Sequence, residues 1–192
     1  MTSRLLIIDN YDSFTWNIIQ LVERSGMHDF MILKNDMLLD SDIGAIRKVI
    51  VSPGPGIARE AGDLLPFLKI HFNRLSILGI CLGHEAVAEL FGARLVRLPE
   101  PLHGVRGKGI IIRRDPVFKG LPDRFDIGHY HSWILERHSL PGELMVTMED
   151  PLGNIMAYRH RQYDLTKLQF HPESVMTQYG SEMIRNWLED TR

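Results

Sequence analysis

Short aliphatic runs alternate with helix-like segments through the first half of the chain. The runs occupy residues 4–9, 30–33, 48–52 and 76–80, and none shows the polar alternation of a half-exposed strand. Strands that are aliphatic on both faces are typical of parallel sheets, because crossover helices cover both sides of such sheets. The pattern therefore predicts an α/β fold with a doubly wound, mostly parallel sheet and helices on both faces.

Helical patterns follow three of these runs, at residues 13–26, 60–72 and 82–92. The first pattern starts after an Asp-Ser pair and ends at a glycine, as capped helices do. The second contains Pro66, but its apolar spacing still favours a helix. Each strand, helix and following strand can thus form one crossover unit of a parallel sheet.

The second half of the chain has a different texture, with short alternating segments separated by Gly, Pro and Asp. We expect these segments to be antiparallel strands or hairpins that flank the sheet, at residues 109–114, 124–134, 143–149, 154–160 and 167–170. A last helix is predicted from about residue 180 to 190. No linker, repeat or low-complexity tract interrupts the chain, which predicts a single domain over residues 1–192.

Composition excludes several classes of function. With 44% hydrophobic and 24% charged residues the chain is typical of globular proteins, and its net charge of -2 gives no electrostatic footprint for nucleic acid or anionic lipid. No stretch approaches the roughly 18 apolar residues of a membrane span. The N-terminus lacks a secretory signal and one cysteine cannot form an internal disulfide, so we expect a cytoplasmic protein with a free thiol and neither a nucleic-acid nor a membrane partner.

The single cysteine, Cys81, lies in the sequence GICLG between a predicted strand and a predicted helix. Gly-x-nucleophile-x-Gly is the form of a strand-turn-helix elbow, in which the glycines let strand and helix approach closely. A helix N-terminus stabilises a thiolate and lowers its pKa, and the Leu82 amide can face a developing oxyanion. The pattern favours a nucleophile, although a lone cysteine is often simply a small buried residue.

A second candidate element, FHPES, contains His171 and Glu173. A nucleophilic cysteine needs a base to take its proton, and that base needs a carboxylate to orient it. His171 and Glu173 can supply this pair on a backbone that Pro172 keeps out of a helix. A surface loop with a solvated histidine has the same sequence, and sequence alone does not bring His171 to Cys81.

A third candidate is the loop SPGPG, residues 52–56, directly after a predicted strand. Ligands bind at the carboxyl ends of strands in doubly wound sheets, and the amides of Gly54 or Gly56 could complete an oxyanion hole. The composition also fits an ordinary turn.

Three further histidines give weaker signals. His129 and His131 have the spacing of residues on one strand face, where they could be metal ligands, but no third ligand is indicated and a polar strand face is the favoured interpretation. His84 is predicted to be a structural hydrogen-bonding residue.

Taken together, these segments resemble the class I (triad) glutamine amidotransferases. The similarity runs nearly from end to end, through IIDNYDSFTWNI, VSPGPGIAREAGD, GICLGHEAVAELFGA, GHYHSW and FHPESVMTQYG. The first and last of these segments narrow it to the glutaminase subunits of two chorismate-using enzymes, anthranilate synthase and aminodeoxychorismate synthase. The resemblance implies a flavodoxin-like core with a small antiparallel strand addition.

The resemblance also implies the chemistry. Cys81 would attack the side-chain amide of L-glutamine, His171 oriented by Glu173 would move the protons, and the amides of Leu82 and Gly56 would form the oxyanion hole. The ammonia would pass to a larger chorismate-binding synthase subunit in a hetero-oligomer, with no metal or organic cofactor on this chain. The implied glutamine pocket consists of Gly54, Pro55, Gly56, Glu85, Ser132 and Trp133.

Three positions depart from the family pattern. The family usually has Gln at Glu85, His-Ser-Leu where this chain has His-Ser-Trp at 131–133, and His-Gly-Lys followed by Ser where residues 102–109 read LHGVRGKG. An ionised carboxylate at position 85 cannot donate a hydrogen bond and should oppose thiolate formation one helical turn away. Two outcomes follow: Glu85 contacts the α-ammonium group of the substrate, or glutaminase activity is weakened. The change at 102–109 suggests an altered partner surface.

Rival functions remain open at the level of sequence. The chain could be a non-catalytic subunit that stabilises or regulates its partner, or a stand-alone cysteine hydrolase acting on γ-glutamyl compounds. The tryptophan pathway, through anthranilate synthase, is the preferred assignment, and the folate pathway, through aminodeoxychorismate synthase, is the alternative.

Overall fold

The structure is a computed structural model that describes residues 5–190, which form nine strands and four α-helices. The strands are β1 (Leu5–Asp9), β2 (Phe30–Lys34), β3 (Lys48–Val51), β4 (Ser76–Ile80), β5 (Leu95–Ile111), β6 (Arg124–Leu135), β7 (Leu144–Glu149), β8 (Ile155–His160) and β9 (Leu165–Leu168). The helices are α1 (Thr15–Arg24), α2 (Leu64–His71), α3 (Leu82–Leu90) and α4 (Gly180–Glu189).

All nine strands belong to one sheet with the order β2-β1-β3-β4-β9-β8-β7-β5-β6. The first five strands in this order are parallel, and the remaining four continue the sheet in antiparallel pairs. The parallel part has the strand order of flavodoxin-like folds. The predicted α/β class, with a mostly parallel core and an antiparallel addition, is confirmed.

Helices cover both faces of the parallel strands because side chains alternate along each strand. Leu6 and Ile8 of β1 pack in the core formed with α2 and α3. Leu5 and Ile7 of the same strand pack in the opposite core, formed with α1 and α4. Burial of all four side chains explains why this strand is aliphatic throughout.

The position of β9 corrects one prediction. Residues 167–170 were expected in an antiparallel flanking strand, whereas β9 lies in the middle of the sheet, parallel to β4, with Ile80 opposite Leu168. A short apolar run is compatible with either placement, and only pairing with β4 decides it. The backbone amide of Cys81 donates a hydrogen bond to the carbonyl of Leu168 at 2.8 Å, so the carboxyl ends of both strands meet.

The prediction for β5 was also wrong in extent. The expected strand at 109–114 is the end of a 17-residue strand that begins at Leu95 and forms a long hairpin with β6. The stretch contains Pro99, Pro101 and Gly104, residue types that usually mark turns rather than strands. Irregular pairing between Arg97 and Leu102 accommodates the prolines, as bulges do, because these residues leave the regular ladder.

The helices are shorter than predicted. Helix α2 begins at Leu64 rather than residue 60, because Gly62 has a φ of +53° that no right-handed helix contains. Pro66 then falls in the first turn, where its missing N–H is not needed. Helix α1 likewise begins at Thr15, two residues late. No helix within residues 5–190 is long and apolar enough to cross a membrane.

One charged side chain, Lys167, is fully buried in β9. Its Nζ donates hydrogen bonds to the carbonyls of Ile77 and Thr166. Burial lowers the pKa of Lys167 well below its ordinary value, and the charge of Asp164 only partly opposes this. The unfolded chain therefore holds a proton on Lys167 at pH values where the folded chain does not.

Replacing Lys167 with Met should remove a pH dependence of stability. Between the lowered pKa and 10.5 the unfolded state binds more protons, so this lysine makes the wild-type free energy of unfolding rise with pH, by at most about 1.4 kcal/mol per unit. Urea titrations at pH values from neutral to alkaline measure this slope of the free energy of unfolding against pH. The wild-type slope should exceed that of Lys167→Met and match that of the exposed control Lys69→Met; equal slopes for all three proteins would contradict the assignment.

Candidate active site

Cys81 lies on a strained turn between β4 and α3. Its φ of +51° and ψ of -99° are conformations that a residue with a Cβ rarely adopts. Three backbone hydrogen bonds hold the turn. The amide of Cys81 donates to the carbonyl of Leu168, and the amides of His84 and Glu85 donate to the carbonyl of Cys81. Strain of this kind at a strand-helix junction is typical of nucleophile elbows, and it fixes the position of the thiol.

The two glycines of the elbow are required for close packing, as predicted. A Cβ on Gly79 would lie 2.4 Å from the carbonyl oxygen of Gly83. A Cβ on Gly83 would lie 2.8 Å from Cβ of Val51 on β3. Because backbone atoms form much of both contacts, α3 can approach the sheet this closely only with glycine at these positions.

His171 and Glu173 form a buried hydrogen-bonded pair just beyond β9. Nδ1 of His171 lies 2.7 Å from Oε1 of Glu173. Since a carboxylate oxygen only accepts, Nδ1 is the donor in this bond, and in the corresponding neutral tautomer Nε2 is the acceptor. Nε2 is buried and has no partner within residues 5–190. The rings of Phe14 and Tyr130 pack against the imidazole and fix its plane.

The thiol and the imidazole face one cavity of about 550 Å³. Glu173 lies behind His171, outside the lining. All the residues expected to form the glutamine pocket and the oxyanion hole line this cavity, namely Gly54, Pro55, Gly56, Leu82, Glu85, Ser132 and Trp133. The fold thus brings together segments from the ends of β3, β4, β6 and β9.

The loop that contains Gly54 and Gly56 is tied to the end of β1. The amide nitrogen of Asn10 donates to Oγ of Ser52 at 3.0 Å, and its side-chain amide donates to the Ser52 carbonyl at 2.8 Å. A Cβ on Gly54 would lie 2.5 Å from Cδ2 of Leu82, and Gly56 has a φ of +71°. The loop is therefore held against the helix start that bears the Leu82 amide.

Comparison with known proteins decides the family. The model of the class-I glutamine amidotransferase family matches residues 6–191. The chain belongs to this family. Among solved structures, a glutamine amidotransferase from Thermotoga maritima has the same fold, with a TM-score of 0.72, 21% identity, and coverage of 90% of this chain and 77% of that one.

Relatives of this amidotransferase match over nearly their whole length. Aminodeoxychorismate synthase component 2 of Escherichia coli is 41% identical, covering 96% of this chain and 98% of the relative. Anthranilate synthase component 2 of Pyropia yezoensis is 39% identical over the same shares. Aminodeoxychorismate/anthranilate synthase component 2 of Bacillus subtilis is 38% identical, covering 98% of this chain and 97% of the relative.

Burial dominates the electrostatics of the amidotransferase thiol. The surroundings raise the pKa of Cys81 well above its ordinary value, first through burial and then through the charges of Glu85, Glu173 and Asp12. The amide of Leu82 at the start of α3 acts in the opposite direction but is outweighed. The helix start thus acts on the pKa of Cys81 in the expected direction, but burial and the neighbouring acids reverse the expected net decrease. A neutral thiol needs a base to remove its proton before it can attack, and His171 lines the same cavity.

Glu85 is buried to 3% exposure at the cavity wall, one turn after Cys81. Its Oε1 accepts a hydrogen bond from the side-chain amide of Gln169 at 3.2 Å. Burial raises the pKa of Glu85 to about 8, with a further increase from Glu89 and an opposing effect from Gln169. At neutral pH the carboxyl group is therefore mostly protonated and can donate a hydrogen bond, as an amide does.

His129 and His131 form a buried chain of hydrogen bonds rather than the expected polar strand face. Nδ1 of His131 lies 2.9 Å from the carbonyl of Trp133, so Nδ1 is the donor and Nε2 accepts from Nδ1 of His129 at 3.0 Å. Burial lowers the pKa of His131 to about 4, which keeps the ring neutral. Residues 5–190 contain no group of three or more metal-binding side chains. The pair fixes the backbone at Trp133, which lines the cavity.

His84 is not the hydrogen-bonding residue that was expected. The ring is fully buried against Tyr158, and within residues 5–190 neither nitrogen makes a hydrogen bond of normal geometry. Burial lowers the pKa of His84 well below its ordinary value, the charges of His131 and Lys167 act in the same direction, and the backbone of Lys167 opposes them. His84 thus acts as neutral packing beneath α3, while its carbonyl accepts from the Tyr158 hydroxyl.

Several residues that shape the site escaped prediction. Phe14 and Tyr130 hold His171, Asn10 fixes the glycine loop, and Gln169 binds Glu85. Asn10 could have been found, because it directly follows β1 at the edge of the sheet where ligands bind. The others depend on contacts between distant segments, for which a single sequence carries no local signal.

Gly83→Ala should destabilise the elbow. The added methyl would meet Val51 at both its side chain and its carbonyl oxygen, so we expect a loss of about 1–3 kcal/mol in the free energy of unfolding, measured by denaturant titration. Gly142→Ala is the matched control, because no heavy atom lies within 4 Å of the added methyl. It should change stability by less than about 0.5 kcal/mol. Equal effects of the two substitutions would show that α3 does not need this close approach.

Proposed function

We propose that the chain is the glutaminase subunit of a chorismate-using synthase, component 2 of anthranilate synthase or of aminodeoxychorismate synthase. The observation that carries the proposal is that Cys81 and His171 line one cavity, while Nε2 of His171 has no hydrogen-bond partner within residues 5–190. Relatives with either name are similar over nearly the whole chain, which supports both assignments. A function in the cytoplasm suits a chemistry that needs a reduced thiol.

The reaction begins with proton transfer from the thiol to Nε2 of His171. The sulfur attacks the γ-carbonyl carbon of glutamine, and the amides of Leu82 and Gly56 stabilise the oxyanion of the tetrahedral intermediate. The imidazolium returns its proton to the departing amine as ammonia leaves, and a γ-glutamyl thioester remains. His171 then removes a proton from water, whose attack releases glutamate and restores the thiol. Glu173 keeps the imidazole oriented and stabilises its charge in both halves.

The remaining cavity residues bind the substrate. The Gly54-Pro55-Gly56 loop, the side chain of Glu85 and the backbone at Ser132 and Trp133 surround the space next to the thiol. Backbone groups at fixed positions suit the polar α-carbon end of an amino acid, while the glycines leave room for it. This chemistry uses the residues of the chain itself and assigns no role to a metal or cofactor.

The larger synthase subunit would cover the mouth of the cavity and receive the ammonia. Tyr11, next to the lining residue Asp12, is 56% exposed, and Val175, two residues after Glu173, is 95% exposed. Exposed apolar side chains beside a polar cavity suit a docking surface. The side chains of β5 at residues 102–109 are also mostly exposed, so the unusual sequence there lies where it can contact the partner.

Reconstitution with the candidate large subunits of the same organism tests this function. The wild type should support glutamine-dependent formation of anthranilate or of aminodeoxychorismate, and the product identifies the pathway. Cys81→Ser should lower this glutamine-dependent rate by at least about a thousandfold, because the nucleophile is removed.

Ammonium salts provide the matched control for the same complex. Product formation from ammonia should survive Cys81→Ser, since the larger subunit carries that step. A wild-type chain that forms no product from glutamine with either large subunit, while ammonia supports both, would refute the proposal in favour of a non-catalytic subunit. Full glutamine turnover by the chain alone would instead favour a stand-alone hydrolase.

A further inference from the structure

Glu85 is placed to contact the end of the substrate that is remote from the thiol. It follows Cys81 by one turn of α3, which corresponds to a rise of about 5.4 Å, comparable with the length of a glutamine side chain. With the carboxamide at the thiol, the α-carbon groups of glutamine therefore reach Glu85. The Oε1 atom is engaged by Gln169, and Oε2 is left for the cavity that the residue lines.

The surroundings of this carboxyl group favour its neutral form. Glu85 forms no ion pair within residues 5–190, and Glu89 follows it by one turn on the same helix. The thiol of Cys81 and the hydroxyl of Tyr158 on β8 are electrostatically coupled to it. Besides Cys81, the other titratable groups that line the cavity are Asp12, Glu60, Arg97, His103, Tyr130, His131 and His171. Arg97 is the one lysine or arginine among the described lining residues, so burial prevails and raises the pKa of Glu85 to about 8.

We propose that Glu85 binds the α-carboxylate of glutamine as a neutral acid, donating a hydrogen bond from Oε2. This inference rests on the proposed glutaminase function and adds the requirement that Glu85 is protonated when glutamine binds. The protonated acid presents one donor and one acceptor, as does the amide that the family usually has at this position. Gln169 holds the acceptor side and thereby directs the donor into the cavity.

Ionisation of Glu85 then removes substrate binding. The carboxylate has no proton to donate, and its charge repels the α-carboxylate of the substrate. As the pH rises through the pKa of Glu85, the binding-competent fraction falls, so the apparent Kd of glutamine rises about tenfold for each pH unit above about 8. The amide in Glu85→Gln does not titrate and escapes this loss.

Calorimetric titration with L-glutamine at pH 7 to 9.5 tests the inference in a Cys81→Ser background, which prevents turnover and removes the titrating thiol. The Kd of Cys81→Ser should rise about tenfold per unit at the alkaline end. The Kd of Cys81→Ser/Glu85→Gln should lack this increase, so the ratio of the first Kd to the second should rise about tenfold per pH unit. The α-ammonium group of glutamine also titrates in this range, but it affects both proteins equally and cancels in the ratio of the two Kd values.

Cys81→Ser/Glu89→Gln is the matched control, because Glu89 lies one turn further along α3 and pairs with Arg59 outside the cavity lining. It should keep the alkaline loss of binding, with an onset at lower pH because the charge of Glu89 contributes to the raised pKa of Glu85. Thermal unfolding of each protein at each pH verifies that a folded chain is titrated. A constant ratio of Kd values between Cys81→Ser and Cys81→Ser/Glu85→Gln at all pH values would overturn the role of Glu85 and leave the glutaminase function standing. Absence of glutamine binding by all three variants would count against the glutaminase function itself.

Discussion

The pairing of β4 with β9 is the interaction on which the site depends. These strands are parallel neighbours, and the hydrogen bond from the Cys81 amide to the Leu168 carbonyl continues their ladder by one residue. Both strands therefore end at the same edge of the sheet. The strand β4 leads into the elbow, and β9 leads into the turn that bears His171. The distance along the sequence between thiol and base is irrelevant once this pair of strands has formed.

Burial sets the protonation states of the residues that meet at this edge. It raises the pKa values of Cys81 and Glu85 and lowers those of His131 and His84, so burial favours the neutral forms of these side chains. A neutral thiol becomes a nucleophile only when a base takes its proton, and in the proposed mechanism Nε2 of His171 is that base. The carboxylate of Glu173 is held behind that ring, where it can stabilise the imidazolium without contact with the substrate.

Local patterns predicted those parts of the fold and site that local chemistry determines. Aliphatic runs indicated β1 to β4, and the glycines beside Cys81 indicated an elbow, because backbone contact there permits no side chain. The central place of β9 and the prolines within β5 were missed, since pairing with distant strands decides both. Likewise, the charge of Glu85 was taken at its solution value, and only its burial by distant segments shows that the acid is mostly neutral.

Covalent labelling of Cys81 by a glutamine-analogue electrophile, 6-diazo-5-oxo-L-norleucine, most directly tests whether thiol, base and pocket act together. Intact-mass and peptide analysis should find one adduct, on Cys81, whose formation glutamine suppresses. His171→Ala should slow this labelling at least tenfold, because the base that activates the thiol is lost. Failure of the wild type to form the adduct, or a rate that neither glutamine nor His171→Ala changes, would contradict the assembled site.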